Sequence, residues 1–335
     1  MAPCCASPPG PTYPNFVCGA ALPSLAVFFK LYNNAGLQKD SKLLMSHFAA
    51  ITLHRALRHF ETAWLFTRSD FKTTIFPVMI FVIVVSPRHN MLALFYALCW
   101  LWFHVFQFNV SNQSYSVHED LLNKPWRPVP SGRISAKDSR ALRWALVVFC
   151  LGLSSLFGLN VVITSGFWTV LVVIYDDFLL SLHPISKNLC NAGGYVTLEL
   201  GSLLILSRES SLDGTSIKAL SCSALVILLT IHAQDFADVN GDAKLGRRTL
   251  PIIAPEGSRI YMLCTLPLFS FVLASVWSLG PLSSLLFVSM GSWVGICYYL
   301  FRDEIRDQSN YRLYNIWLIG VHLLPATVRF HALAW

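Results

Sequence analysis

Residues 217–242 read IKALSCSALVILLTIHAQDFADVNGD. A long apolar run meets no acid until Asp235, and Asp238 and Asp242 then follow. A helix that crosses a bilayer needs ~20 mostly apolar residues, and its backbone must be satisfied internally. This stretch therefore reads as a membrane helix with an acidic end. Carboxylates beside hydrocarbon are costly and persist mainly where something binds them. At spacings of three and seven residues the three aspartates share one helical face. Three like charges that close call for a cation among them, and oxygen donors favour Mg²⁺. Basic residues trail the acids: Lys244, Arg247 and Arg248.

A second stretch repeats the order of acid and then base. It runs from Asn112 through Ser116, Glu119 and Asp120 to Lys124 and Arg127. Asn112, Ser116 and Asp120 recur every four residues, again on one face. Glu119 either adds a ligand or faces water. Pro125 and Pro128 stiffen the segment that presents the bases. Arginine forks match phosphate oxygens and lysine supplies a point charge. Acid then base, twice, is what a metal-bridged diphosphate would need. Arg133, Lys137, Arg140 and Arg143 read instead as headgroup anchors.

Composition agrees with a polytopic membrane protein. Of 335 residues, 54% are hydrophobic and 13% charged, with mean hydropathy +0.53; soluble domains carry about 25% charged residues. The formal charge of +7 is spread over loops rather than gathered in one polar patch, which argues against a nucleic-acid partner. Nine cysteines, an odd number with no zinc-like spacing, argue against a disulfide framework. Residues 1–42, broken by Pro3, Pro8, Pro9, Pro11 and Pro14, read as a poorly ordered tail. Residues 43–70 read as an interfacial amphipathic segment, and 71–335 as the transmembrane domain. No secretory signal is expected, so the first apolar helix serves as its own membrane signal.

Nine spans are expected, near 71–87, 91–112, 139–157, 159–179, 189–207, 217–237, 259–278, 281–301 and 313–333. Nearly all Lys and Arg then lie on one side; the other holds only Arg88, Arg208, Lys218 and Arg329. The positive-inside rule places the basic side in the cytosol. An even number of crossings separates the two acidic clusters, so both emerge there and can share one cavity. Tyr175, Asp176, Asp177, Lys187 and Asn191 form a third polar group, with Lys187 in reach of a diphosphate. Glu199 is an isolated mid-membrane acid, either a proton acceptor or a structural residue. Trp102, Phe103, Phe106 and Phe108 are candidates to line an isoprenoid chamber. A transporter reading lacks any discontinuous-helix or inverted-repeat signature.

These residues resemble the UbiA superfamily of intramembrane prenyltransferases over about residues 60–335. The resemblance rests on Asn112, Gln113, Ser116 and Asp120, then Arg127-Pro128 and Pro130-Ser131-Gly132. It rests equally on Asp238 and Asp242, with Asp235 a turn earlier, and on Gly246 and Thr249-Leu250-Pro251. Gln113 and Ser116 stand where the family usually has aspartates, as in a divergent branch from fungal secondary metabolism. The resemblance implies an all-α bundle of nine helices around a central cavity, in the endoplasmic reticulum membrane. It implies Mg²⁺ at Asn112, Glu119, Asp120, Asp235, Asp238 and Asp242, with Asp120, Asp238 and Asp242 catalytic. Asn112, Lys124, Arg127, Lys187, Lys244 and Arg248 would bind the diphosphate. The expected reaction is transfer of a geranyl or farnesyl group to a phenol or hydroquinone acceptor, in meroterpenoid biosynthesis. The rival is a cyclase that closes farnesyl diphosphate on itself without an acceptor.

Overall fold

The structure, a computed structural model, describes residues 38–208, 212–244 and 246–333. The expected tail lies mostly outside the described residues. All regular elements among them are helical. The chain divides into two compact units, Met1–His59 and Phe60–Trp335. The first helix, α1, covers Gln38–Thr67, so it occupies most of the expected interfacial segment and begins before it. In the first unit Met45, Phe48, Ile51 and Leu53 are exposed.

In the second unit, α2 is the apolar helix Phe71–Val85, whose first five residues form a π-turn. Then come α3 Met91–Tyr115, α4 Val117–Asn123, α5 Ala136–Ser155, α6 Leu159–Asp176 and α7 Pro184–Ser207. They are followed by α8 Gly214–Thr230, which tightens into a 3₁₀ turn over Ile231–Phe236, and by α9 Val239–Lys244. The chain closes with α10 Leu250–Ile253, α11 Pro255–Val276, α12 Pro281–Leu300, α13 Glu304–Leu323 and α14 Ala326–Phe330.

Among the described residues six helices are long and apolar enough to cross a membrane: α3, α6, α7, α8 with its 3₁₀ extension, α11 and α12. The expected nine are thus not all matched by apolar helices. Helix α2 is too short, α5 opens on Lys137, Asp138 and Arg140, and α13 opens on Glu304, Arg306 and Asp307. The last span was expected to start at 313. It begins at Glu304, with Asp303 accepting from the Arg306 amide at 2.9 Å, and stops before Pro325. Hydropathy misses this start because Asp307 and Asn310 are buried by pairing, with Arg259 donating to Asp307 at 2.8 and 3.0 Å.

Small residues and interhelical hydrogen bonds set the helix spacing, as expected where lipid removes the hydrophobic drive between helices. Trp100 of α3 donates to Ser154 of α5 at 2.8 Å and packs against Gly201 of α7. A Cβ on Gly201 would sit 2.2 Å from that indole, so any larger residue pushes α3 and α7 apart. Trp317 of α13 similarly donates to Ser270 of α11 at 2.8 Å. Together these contacts hold the walls of a central chamber.

Candidate active site

A cavity of about 720 Å³ opens inside the second unit. Along α3 its lining passes from Val105 and Phe108 to Asn109 and Asn112, so one wall grades from apolar to polar. Trp168, Leu171, Leu198 and Ile231 continue the apolar end, while Glu119, Lys124, Lys187 and Asp238 belong to the polar end. Of the aromatics expected in the chamber, only Phe108 lines it. Trp102, Phe103 and Phe106 pack with one another and with Phe66, because they lie on other faces of α3.

The two acidic stretches meet across this cavity. Lys124 lies 3.7 Å from Asp238, and Arg247 lies 2.6 Å from Glu119 and 3.5 Å from Asp242. Each stretch therefore supplies a base to the other stretch's acid. Gly241 permits the approach, since a Cβ there would stand 2.3 Å from the Asn123 side chain.

Neither stretch is a single continuous helix. Ser116 interrupts the first, yet backbone bonds from Ser116 to Asn112 (2.9 Å) and from Asp120 to Ser116 (2.9 Å) keep the spacing of four. In the second, the α-helix ends at Thr230 and Asp235 falls in the 3₁₀ turn. The expected single face of three aspartates is thus broken. Asp235 turns back to Lys187, whose ammonium is 2.6 Å from its carboxylate, with both groups buried. Asp235, Asp238 and Asp242 nonetheless all line the cavity.

Other expected site residues divide. Asn112, Glu119, Lys124, Arg127 and Lys187 line the cavity. Asp120 does not: it is 1% exposed, and Arg127 Nη1 stands 2.8 and 3.0 Å from its two oxygens. In this geometry Asp120 orients Arg127 rather than facing the chamber. Lys244 and Arg248 are exposed and off the lining, whereas Arg247 lies on it. The turn after α9 explains the choice. Gly246 takes φ +71°, its amide bonds the Ala243 carbonyl, and the Arg247 amide bonds the Asp242 carbonyl. This left-handed helix stop folds Arg247 back over its own helix. Glu199 is off the lining, buried 2.7 Å from Ser223 and 3.4 Å from His322.

One contribution was not foreseen. Asp176 accepts from Ser111 and, at 3.1 Å, from the Asn112 amide nitrogen. A carboxylate takes only the NH₂ end of an amide, so the Asn112 oxygen is left for the cavity. The polar sequence at the end of α6 was the available signal, although its target on α3 was not.

Burial raises the Glu119 and Asp242 carboxyls above the usual carboxylate range, and the Arg247 guanidinium opposes the rise at both. Arg127 Nε, Asn123 Nδ2 and Asn191 Nδ2 belong to lining residues, are buried, and have no hydrogen-bond partner among the described residues. Unmet buried donors are costly, and three around one chamber suit a ligand rich in acceptor oxygens. Among the described residues no three His, Cys, Asp or Glu side chains already converge on a metal position. Mg²⁺ is normally held by one or two carboxylates together with waters and substrate phosphates. The oxygen donors of Asp238, Asp242, Glu119 and Asn112 fit that demand.

The profile of the UbiA prenyltransferase family matches residues 74–319, and the chain belongs to that family. Together with its apolar helices, this makes it a multi-pass integral membrane protein. Fumagillin β-trans-bergamotene synthase of Aspergillus fumigatus is 27% identical over 79% of this chain and 91% of its own length. A polyprenyl transferase of Hericium erinaceus is 30% identical over 68% of this chain and 79% of its own. In fold, the chain resembles a UbiA homolog from Archaeoglobus fulgidus bound to GPP and Mg²⁺, with TM-score 0.58 and 13% identity. That match covers 79% of this chain and 99% of the other.

Proposed function

We propose that the chain binds an allylic prenyl diphosphate, geranyl or farnesyl, with Mg²⁺ and ionises it, and that the cation then closes on itself. The observation that carries this reading is the crossed pairing of two acid-base stretches at one cavity, Lys124 with Asp238 and Arg247 with Glu119. Asp238 and Asp242, assisted by Asn112 and Glu119, hold the metal, which when bound neutralises charge on the departing diphosphate. Lys124, Arg127, Lys187 and Arg247 take up the remaining charge, the electrostatic contribution that dominates such steps. Phe108 and Trp168 offer π-faces to the hydrocarbon cation and exclude water from it. The wide match to a synthase supports cyclisation. The polyprenyl transferase match favours a second reading, transfer to an aromatic acceptor in the same chamber. In either case the acidic cavity faces the cytosol from the endoplasmic reticulum membrane.

Incubation of detergent-solubilised protein with farnesyl diphosphate and Mg²⁺, without and with a phenol, is the test. Release of diphosphate is expected, is abolished by EDTA, and returns on adding Mg²⁺. A hydrocarbon product without phenol supports cyclisation. Release that depends on phenol supports transfer, and no release under any condition defeats both.

Arg247→Ala is expected to move the acid limb of the pH-rate profile to higher pH. Glu119 and Asp242 are already raised by burial and would lose the charge that helps keep them ionised. A profile that stays in place removes Arg247 from the site.

A further inference from the structure

Four of the cavity's five carboxylates have a basic partner: Glu119 and Asp242 with Arg247, Asp235 with Lys187, and Asp238 with Lys124. The fifth, Asp70, has none among the described residues. It lies in the break between α1 and α2, at the N-cap position before the π-turn Phe71–Ile75. Aspartate there ordinarily accepts from the first backbone amides of the helix it precedes, but Asp70 makes no such bond. Its Oδ2 accepts instead from the Asn109 amide at 3.1 Å and from the Ser69 hydroxyl at 3.1 Å. Both donors bind one oxygen, and Oδ1 has no hydrogen-bond partner among the described residues. The Asn109 nitrogen also donates to the Val105 carbonyl at 3.1 Å, so the residue that aims Asp70 is itself fixed. π-turns are rare and occur often at functional sites. Within this one, the Thr73 carbonyl accepts from the hydroxyl of Tyr195, another lining residue.

Position gives the carboxylate its task. Asn109 is three residues before Asn112 on α3, so the residue that holds Asp70 is roughly 4.5 Å along the helix from Asn112, on the side of Val105 and Phe108. In the reading proposed above, that places Asp70 past the diphosphate, where the hydrocarbon would begin. We propose that Asp70 is the proton acceptor that ends the carbocation sequence. The assignment rests on the ionisation proposed above. A C–H bond beside the cationic carbon breaks, its electron pair becomes the new C=C bond, and the proton goes to Asp70 Oδ1. If the cation has alkylated a ring, the same transfer takes the proton from the alkylated carbon and restores the aromatic sextet. The neutral acid then passes its proton to solvent.

Two readouts with farnesyl diphosphate and Mg²⁺ test this on the full chain: the rate of diphosphate release, and the ratio of deprotonated product to water-quenched prenyl alcohol. In Asp70→Asn release is expected to stay near the unmodified rate, while the ratio falls about a hundredfold, the usual scale for losing a positioned base. Asp70→Glu, which keeps a carboxylate, is expected to recover part of the ratio and to change where the double bond forms. It also serves as the test if the asparagine variant does not fold. An unchanged ratio and unchanged isomers overturn the proposal, as does a loss of release and product in equal proportion. Absence of release by the unmodified chain overturns the ionisation reading as well, whereas normal release with unchanged products overturns Asp70 alone.

Discussion

Asp242→Ala is expected to slow Mg²⁺-dependent diphosphate release by about two to three orders of magnitude, the scale on which single preorganised electrostatic groups act. Asp242 is buried and faces the cavity, and its nearest basic neighbour, Arg247 at 3.5 Å, also serves Glu119. Its removal deletes a proposed metal donor and leaves Arg247 paired with Glu119 alone, so a cavity-lining base is also displaced. Asp238→Ala is expected to act in the same direction with a smaller effect on folding, because Asp238 is about a third exposed and its lysine is 3.7 Å away. Release at the unmodified rate by both variants would remove the metal assignment.

The second large effect concerns stability. Lys187 and Asp235 are both buried, with their charged atoms 2.6 Å apart. Breaking such a pair by removing one partner typically costs about 3–5 kcal/mol, because a charge is left buried alone. Lys187→Met and Asp235→Asn should therefore each lower the thermal midpoint in detergent sharply. The double variant should lie above the sum of the singles, since it strands neither charge. Additive losses would mean that the two groups are not coupled. Diphosphate release should still fall in the double variant, because the substitution removes a cationic side chain from the cavity lining.

Much of this architecture was readable along the chain. Apolar runs of helical length marked the six apolar helices, since the bilayer imposes one length and one polarity on anything that crosses it. The acids that follow 91–112 and end 217–237 marked the candidate site, because few structures tolerate carboxylates beside hydrocarbon without a ligand. Where polarity within a helix is satisfied by another helix, the same reasoning failed. Asp307 and Asn310 are buried in α13 because Arg259 of α11 reaches Asp307 and the Asn310 amide donates to the Phe301 carbonyl and to Asp307.

What was decided along the chain alone is which residues could take part: Asn112, Glu119, Lys124, Lys187, Asp235, Asp238 and Asp242 all reach the chamber. Only the folded molecule determined how they pair. It turned Asp120 onto Arg127, exchanged Arg248 for Arg247 through a left-handed glycine, and left Asp70 without a base among the described residues. Spacing in sequence reports which face of one helix a residue occupies. Partners drawn from helices a hundred residues apart are selected by distance and burial, which no local pattern encodes.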